Sequence, residues 1–287
     1  MKRLIINADD FGLTSGVNQA IVELHGHGKL TSTTLMASAS ATEKAIEQAL
    51  GTPTLGVGCH VVLIDGSPIT PVELLPCLAA AKDLSPTLGS FLVRAYSGRA
   101  TGRNITQDIE TEASAQISKL QRSGLHLTHI DTHKHTHMFP AVLRPVLRAA
   151  RAAGIRAIRN PYELAWSVHA TPGAQWLRRT QVQLLRTLQS SFRRIVTEEG
   201  FVTTDGAIGV LATGTLDSAT IASLLNAIPD GTWELVTHPG YNDTALAKVR
   251  TRLLASREIE YQALKNASIS QGIELIHFGQ LHKASHS

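Results

Sequence analysis

Cysteine, aromatic residues and long apolar runs are all scarce in this chain of 287 residues. Cys59 and Cys77 are the two cysteines, which are too few for a disulfide framework and form no Cys-x-x-Cys pair. No apolar stretch reaches the roughly 18 residues needed to cross a bilayer. Met1-Lys2-Arg3 leads directly into a strand-like run without the apolar region of a signal peptide. These absences predict a cytoplasmic protein, either free or at the inner face of the membrane.

Charge is sparse as well, because charged residues make up 17% of the chain and hydrophobic residues 43%. That balance supports a sizeable core and argues against disorder. The net charge is +4, with the basic residues dispersed apart from Arg178-Arg179 and Arg193-Arg194, and no nucleic-acid-binding motif is present. We therefore expect no nucleic-acid partner. An ordinary solvated face explains the mild positive charge best, while a peripheral membrane contact and a homodimer stay open.

Short apolar runs alternate with helical patterns along most of the chain. The strand-like runs are residues 4–6, 33–36, 55–59, 129–131, 155–158, 234–237 and 274–277. The helical patterns are residues 17–24, 41–50, 105–120, 142–153, 216–227 and 256–270. This alternation predicts an α/β fold with a parallel sheet, either doubly wound or closed as a barrel. We expect one domain over residues 1–281, with insertions at about 64–104 and 161–203, and a tail at 282–287.

The tract 129–137 reads His-Ile-Asp-Thr-His-Lys-His-Thr-His and has His or Asp at every second position. In an extended strand, alternate side chains point to the same face, so four imidazoles and one carboxylate would line one edge. Imidazole and carboxylate are ligands of divalent metals. A loop with incidental histidines is the alternative; a tag is disfavoured because the tract is internal and precedes the apolar Met138-Phe139-Pro140. A metal takes few protein ligands, so some of the five side chains must have other roles.

Acidic and histidine side chains also follow several of the predicted strands. These positions are Asp9-Asp10, His60, Asp131-Thr132-His133 and His238-Pro239-Gly240, and Arg159 follows the run 155–158. Because functional groups gather at the carboxyl ends of the strands in α/β sheets and barrels, we expect these side chains to meet at one rim.

Each of these positions also has a structural interpretation. One carboxylate of Asp9-Asp10 would suit the cap of the following helix, although a bound cation would better explain two adjacent acids. A lone histidine such as His60 is more often structural, and His238 fits a turn before Pro239-Gly240. Arg159 suits a surface ion pair as well as a contact with a carboxylate or a sugar hydroxyl.

Four motifs in this order are similar to those of the YdjC-like carbohydrate deacetylases. They are Asn-Ala-Asp-Asp-Phe-Gly at 7–12, Gly-Cys-His at 58–60, the tract 129–137 with Met138, and His238-Pro239. The resemblance covers nearly the whole chain. It implies a distorted (β/α) TIM-like barrel that removes N-acetyl groups from amino sugars with the help of one divalent metal ion.

Carried over by position, the resemblance implies that Asp10, His60 and His133 bind the metal. It also implies that Asp9 is the catalytic base and that His238 is the acid or supports it. Four side chains are left for contacts with the substrate or with the metal ligands: Asp131, His135, His137 and Arg159. Two histidines and one aspartate favour zinc or another transition metal, whereas the family is more often described with magnesium, so the choice between Mg and Zn stays open.

Two subgroups of the family differ in substrate. One acts on chitooligosaccharides such as diacetylchitobiose, and the other deacetylates an N-acetylglucosaminyl hopanoid in hopanoid biosynthesis. The sequence 61–68 looks more like the hopanoid subgroup, which suggests a lipid-linked sugar. The apolar residues Phe91-Leu92-Val93 and Trp176-Leu177 would either face that lipid or pack the insertions onto the barrel, and packing is favoured slightly.

Two other functions compete with deacetylation. A non-catalytic metal- or sugar-binding protein would use the same ligands, but it has no need for Asp9 beside them. A metal-dependent phosphoesterase or glycosidase on a similar barrel is the second alternative. No P-loop or dinucleotide-binding pattern supports nucleotide chemistry.

Overall fold

The computed structural model describes residues 1–80, 82–97, 104–173 and 176–285. The strands are β1 (Lys2–Phe11), β2 (Ser32–Leu35), β3 (Gly56–Val61), β4 (Ala79–Ala80), β5 (Asp83–Leu84), β6 (Ile130–Thr132), β7 (Gly206–Ile208), β8 (Gly231–Thr237) and β9 (Ile273–Leu275). The α-helices are α1 (Ser15–Gly26), α2 (Thr42–Leu50), α3 (Leu88–Ser97), α4 (Ile105–Arg122), α5 (Pro140–Ala152), α6 (Ala165–Ala170), α7 (Trp176–Leu185), α8 (Gln189–Glu198), α9 (Ser218–Ala227) and α10 (Leu254–Lys265). Short 3-10 helices cover Val72–Leu74, His133–Met138, Arg186–Leu188, Leu246–Lys248 and Phe278–Ser285.

The main sheet is parallel and runs in the order β6-β3-β2-β1-β8-β7, with β9 paired to β1. Single bridges join Ile130 to Ile158, Ala157 to Val202 and Glu163 to Ala207. The segment 155–163 therefore spans the gap between β6 and β7 and curls the sheet towards closure. The expected α/β class and distorted barrel are confirmed. The pair β4–β5 is a separate antiparallel sheet.

The strand β1 is the centre of the sheet and gives the barrel its distortion. One edge of β1 pairs with β8 from Lys2 to Ala8. The other edge pairs with β9 over Lys2 to Leu4 and only then with β2, from Asn7 onwards. Three strands thus pair with β1. Along the edge that faces β2, the amino-terminal half of β1 pairs with β9 instead.

Alternate residues of β1 belong to two different packing layers. Leu4, Ile6 and Ala8 pack in the large cluster that the strands share with the surrounding helices. Ile5 packs instead in a small cluster with Ala157, Ile276, Phe278 and Leu281. The odd-numbered face therefore points into the barrel, and residues near the carboxyl terminus fill the end of the barrel from which β1 starts. The next odd positions, Asn7 and Asp9, reach the opposite end.

Some sequence-based predictions are wrong in detail. The tract 129–137 does not continue as a strand, because β6 ends at Thr132 and both Lys134 and His135 adopt left-handed backbone angles, with φ of 55° and 52°. The run 155–158 contributes only isolated bridges. At the start of α9, the Asp217 side chain caps the helix by accepting a hydrogen bond from the Thr220 amide.

The domain boundaries stay a prediction. Within the expected insertion at 161–203, the structure has α6, α7 and α8. Residues 81 and 98–103 of the expected insertion at 64–104 lie outside the described residues, as do residues 286–287 of the expected tail.

His129, the first histidine of the tract, is part of the packing inside the barrel. Its ring is fully buried and stacks on Phe278 with the ring centroids 3.8 Å apart. Gly58 on the neighbouring strand makes room for this stack, since a Cβ there would lie 2.4 Å from His129 Cε1. The glycine of the Gly-Cys-His motif is thus required by close packing.

We expect Gly58→Ala to lower the melting temperature by several degrees, because the added methyl group meets a buried ring that cannot withdraw. Overpacking costs about 1–3 kcal/mol, and each kcal/mol corresponds to about 2–4 °C for a chain of this size. Thermal unfolding monitored by circular dichroism measures the change. Gly26→Ala is the matched control, because a Cβ at Gly26 has nothing within 4 Å. Equal melting temperatures for the two variants would contradict this description of the barrel interior.

Candidate active site

Asp9 and Asp10 are neighbours in β1, yet their carboxylates have different partners. The pairing of β1 with β2 shifts register between Ala8 and Phe11, and Asp10 has a φ of 66°. This bulge breaks the alternation of the strand, so both carboxylates reach the carboxyl end of the barrel instead of opposite faces. A left-handed non-glycine residue costs about 1–3 kcal/mol, and such strain is concentrated at functional sites.

Three side chains from three strand ends converge on one point. Asp10 Oδ1 lies 3.6 Å from His60 Nε2 and 3.6 Å from His133 Nδ1. His60 Nε2 lies 3.3 Å from His133 Nδ1. Ligands about 2.1 Å from a tetrahedral ion are separated by about 3.4 Å, so the spacing of these three atoms fits a single metal ion. The structure thus brings together the three predicted ligands.

Asp131 fixes the orientation of His60. Asp131 Oδ1 lies 2.8 Å from His60 Nδ1, so that nitrogen donates to the carboxylate and Nε2 faces Asp10. Metal-binding histidines usually have such a carboxylate partner on the far nitrogen. Burial lowers the pKa of His60, but the carboxylates of Asp131, Asp9 and Asp10 outweigh it and raise the pKa to about 9. The cluster therefore favours a positive charge at this position, as a proton or as a metal ion.

Arg159 neutralises the carboxylates beside the triad. Its guanidinium donates to Asp9 Oδ1 at 2.6 Å and Oδ2 at 2.9 Å, to Glu234 Oε1 at 2.7 Å, and forms an ion pair with Asp131. The side chain is fully buried, so these ion pairs lie inside the barrel and not on the surface. Asp9, His60 and Asp131 also lie close enough to hold an ion, but Arg159 already supplies the positive charge there.

Asp9 is ionised in the folded protein. Burial opposes this, but the positive charge of Arg159 and its hydrogen bonds lower the pKa of Asp9 well below its usual range. Asn7 Nδ2 donates a further hydrogen bond to Asp9 Oδ1 at 3.0 Å. An ionised carboxylate beside a metal ion can accept a proton from water.

Helix α10 packs outside the barrel and supplies two buried charged residues, which contact Asp10 and His238. Arg257 Nη2 donates to Asp10 Oδ2 at 2.5 Å, which leaves Oδ1 for the two histidines. Glu260 Oε2 accepts a hydrogen bond from the His238 amide at 2.6 Å. Arg257 and Glu260 are both almost completely buried, and burial raises the pKa of Glu260 to about 7.

His238 also lies close to Asp9. Its Nε2 is 3.7 Å from Asp9 Oδ2, and its Nδ1 is 4.0 Å from Glu260 Oε2 without a hydrogen bond. Burial lowers the pKa of His238 more strongly than Asp9 and Asp10 raise it. The imidazole is therefore neutral at neutral pH before any substrate binds.

Sequence reasoning missed Arg257, Glu260 and Glu234, although each has a detectable signal. The buried stripe of α10 is Arg257, Glu260, Tyr261 and Leu264, a spacing of i, i+3, i+4 and i+7 at which apolar residues are expected. Glu234 likewise stands in the otherwise apolar, buried run Trp233–Val236 of β8. A charged residue at a core position is the signal in both elements.

The later histidines of the tract do not join the three ligand candidates. His137 is fully buried, its Nδ1 lies 2.7 Å from Thr132 Oγ1, and its ring centroid lies 6.2 Å from that of Phe192. His135 is partly buried, and burial together with Arg159 lowers its pKa to about 3. The left-handed residues at 134 and 135 turn the chain away from the strand direction, which separates these rings from His133.

Comparisons with known proteins show which sequences and which fold this chain is similar to. The family model described as YdjC-like protein matches residues 3–274. A carbohydrate deacetylase from Brevibacillus brevis is 34% identical over 97% of this chain and 99% of its own. A chitooligosaccharide deacetylase from Enterobacter is 37% identical over 54% of this chain and 58% of its own. A solved structure titled as a putative cellobiose-phosphate cleavage protein from Enterococcus faecalis has a TM-score of 0.73 and 26% identity, with 98% of both chains covered.

Proposed function

The chain belongs to the YdjC-like protein family, and we propose that it is a metal-dependent carbohydrate N-deacetylase. Its substrate would carry N-acetylglucosamine, and the products would be acetate and the free amino sugar. The observation that carries the proposal is the convergence of Asp10, His60 and His133, with the ionised Asp9 beside them. The names of the relatives from Brevibacillus brevis and Enterobacter support the same reaction.

In the proposed mechanism, Asp10, His60 and His133 hold one divalent ion. When bound, such an ion polarises the acetyl carbonyl and makes water more acidic. Asp9 accepts a proton from the attacking water while Arg159 holds its carboxylate in place. His238 delivers a proton to the leaving amine nitrogen. Because burial keeps His238 neutral, it must gain that proton during the reaction, and Asp9 Oδ2 lies 3.7 Å from its Nε2.

Two imidazole nitrogens and one carboxylate oxygen favour zinc or another transition metal over magnesium. Magnesium prefers oxygen ligands and retains several waters, whereas imidazole suits the transition metals. Elemental analysis of the purified protein distinguishes these ions.

The two competing functions fit the site less well. A purely structural or binding site has no need for a second, arginine-held carboxylate next to the ligands, and Asp9 is held in that way by Arg159. A phosphoesterase or glycosidase would release phosphate or reducing sugar without acetate, so a product assay separates these reactions from deacetylation.

A lipid-linked sugar is the finer substrate hypothesis, and the outer helices support it in part. Phe91 is fully buried and packs the insertion onto the core, but Val93, Trp176, Leu177 and Leu184 are more than half exposed. Residues 164–197 contain no acidic residue and five arginines, at 178, 179, 186, 193 and 194. Apolar and basic side chains on one surface suit an anionic membrane. None of the described helices is both long and apolar enough to span a membrane.

We predict that Asp9→Asn retains metal binding and loses deacetylase activity by a factor of about 10²–10⁴, the usual contribution of a general base. The variant keeps the size of the side chain but cannot accept the proton. Acetate release and metal content are measured on the same preparations. Asp10→Asn is the matched control and should lose metal as well as activity. Loss of metal from Asp9→Asn would contradict the division of roles between the two aspartates.

A second prediction concerns the lipid. If the substrate is lipid-linked, replacing Trp176 and Leu184 by serine should weaken binding to vesicles that contain anionic phospholipid, because both side chains are exposed on α7. Co-sedimentation measures binding, and Leu50→Ser, an exposed leucine at the end of α2, is the control. Equal turnover of diacetylchitobiose and an N-acetylglucosaminyl glycolipid would contradict the lipid hypothesis. Light scattering on the same protein tests whether it forms a homodimer.

A further inference from the structure

A cavity of about 160 Å³ lies beside the tract 133–138. Its walls are mostly apolar and come from α3, α7, the tract and the segment 155–163. They include Leu88, Met138, Phe139, Tyr162 and Leu185. Pockets for whole drug-sized ligands measure about 300–1,000 Å³, so this cavity suits one ring or a short chain rather than a complete glycolipid.

Glu163 is the unexplained residue of this cavity. Its side chain is buried, and neither carboxylate oxygen makes a hydrogen bond with any described residue. The nearby amides of Gly209, Val210 and Leu211 favour its charged form, but burial outweighs them and raises the pKa to about 7. The one lysine of the cavity, Lys134, is paired with Asp65 instead. The three amides therefore offset only part of the cost of burying this carboxylate.

The position of Glu163 relates it to the active site. Glu163 pairs with Ala207 in the barrel wall, on the same segment as Arg159 and four residues further along. His135 lines the same cavity, and the charges of Arg159, Asp9, His238 and His60 all act on it. The cavity is therefore adjacent to the catalytic groups.

We propose that Glu163 accepts hydrogen bonds from hydroxyl groups on the unit attached to the N-acetylated sugar. The apolar walls would pack against the carbon skeleton of that unit, as binding sites for small molecules combine apolar walls with a few polar groups. Glu163 would then determine specificity, favouring a hydroxyl-bearing neighbour over an alkyl group. The inference rests on the proposed deacetylase function. Both a second amino sugar and the polyol part of a glycolipid carry hydroxyl groups that could donate these hydrogen bonds.

The test compares the affinities of three probes in the Asp9→Asn background, so that no probe is consumed. Diacetylchitobiose has a second sugar ring, glyceryl N-acetylglucosaminide has a short polyol, and hexyl N-acetylglucosaminide has an alkyl chain. Calorimetry on the metal-loaded protein should show at least one hydroxylated probe binding about tenfold tighter than the hexyl probe. Glu163→Leu should abolish that preference, since a lost hydrogen bond to a charged group changes affinity by about 10- to 100-fold. Glu163→Gln, which keeps one acceptor oxygen, should be intermediate.

The three outcomes are distinct. If diacetylchitobiose loses affinity in Glu163→Leu, the bound unit is the second sugar ring. If the glyceryl probe loses affinity, the bound unit is the polyol. No preference in the parent protein, or an equal loss for all three probes in Glu163→Leu, would overturn the proposal. Absence of acetate release by the protein with Asp9 intact would instead refute the deacetylase function, whatever the binding data show.

A stability measurement separates recognition from a structural role. The pKa of Glu163 is raised in the folded state, so its carboxylate destabilises the protein increasingly as pH rises from about 5 through about 7. Glu163→Gln should therefore melt at an equal or higher temperature than the parent at pH 8, with less difference at pH 5. Glu47→Gln on the exposed face of α2 is the control. A clear loss of stability at pH 8 would mean that Glu163 anchors the fold instead.

Discussion

The structure depends on neutralising a group of carboxylates inside the barrel. Asp9, Asp10, Asp131 and Glu234 are all buried within a few ångströms of one another. Buried charges are tolerated only when opposite charges and hydrogen bonds compensate for lost hydration. Arg159 contacts three of these acids and Arg257 contacts the fourth, Asp10. Asp10 Oδ1 differs from the arginine-bound oxygens, because it faces two histidines and has no arginine.

This oxygen of Asp10 lies at the centre of the proposed metal site. Asp131 directs His60 towards it, and the raised pKa of His60 shows how strongly the surrounding carboxylates attract a further positive charge. Two local features of the barrel position these groups. A bulge with a left-handed Asp10 brings both aspartates to one rim, and the closely packed His129–Phe278 stack fills the barrel beneath them.

Much of the candidate site could be predicted from the sequence, because strand ends and the tract 129–137 are local features. Asp10, His60 and His133 converge as expected. The predicted alternation along the tract holds only as far as Thr132. Lys134 and His135 then adopt left-handed backbone angles, which a glycine would have signalled in the sequence but these residue types do not. The roles of Arg257 and Glu260 depend on how α10 packs against β1 and β8, which is a long-range property. Glu163 has no motif, and only its unpaired burial singles it out.

Calorimetric titration of metal-free protein with zinc at pH 7.5, in two buffers of different ionisation enthalpy, tests the central claim most directly. We predict one ion bound per chain and about one proton released, because His60, with a pKa of about 9, must lose its proton to bind the ion. Acetate release from diacetylchitobiose should rise in proportion to the ion bound. Binding without proton release, or acetate release that persists without metal, would contradict the account.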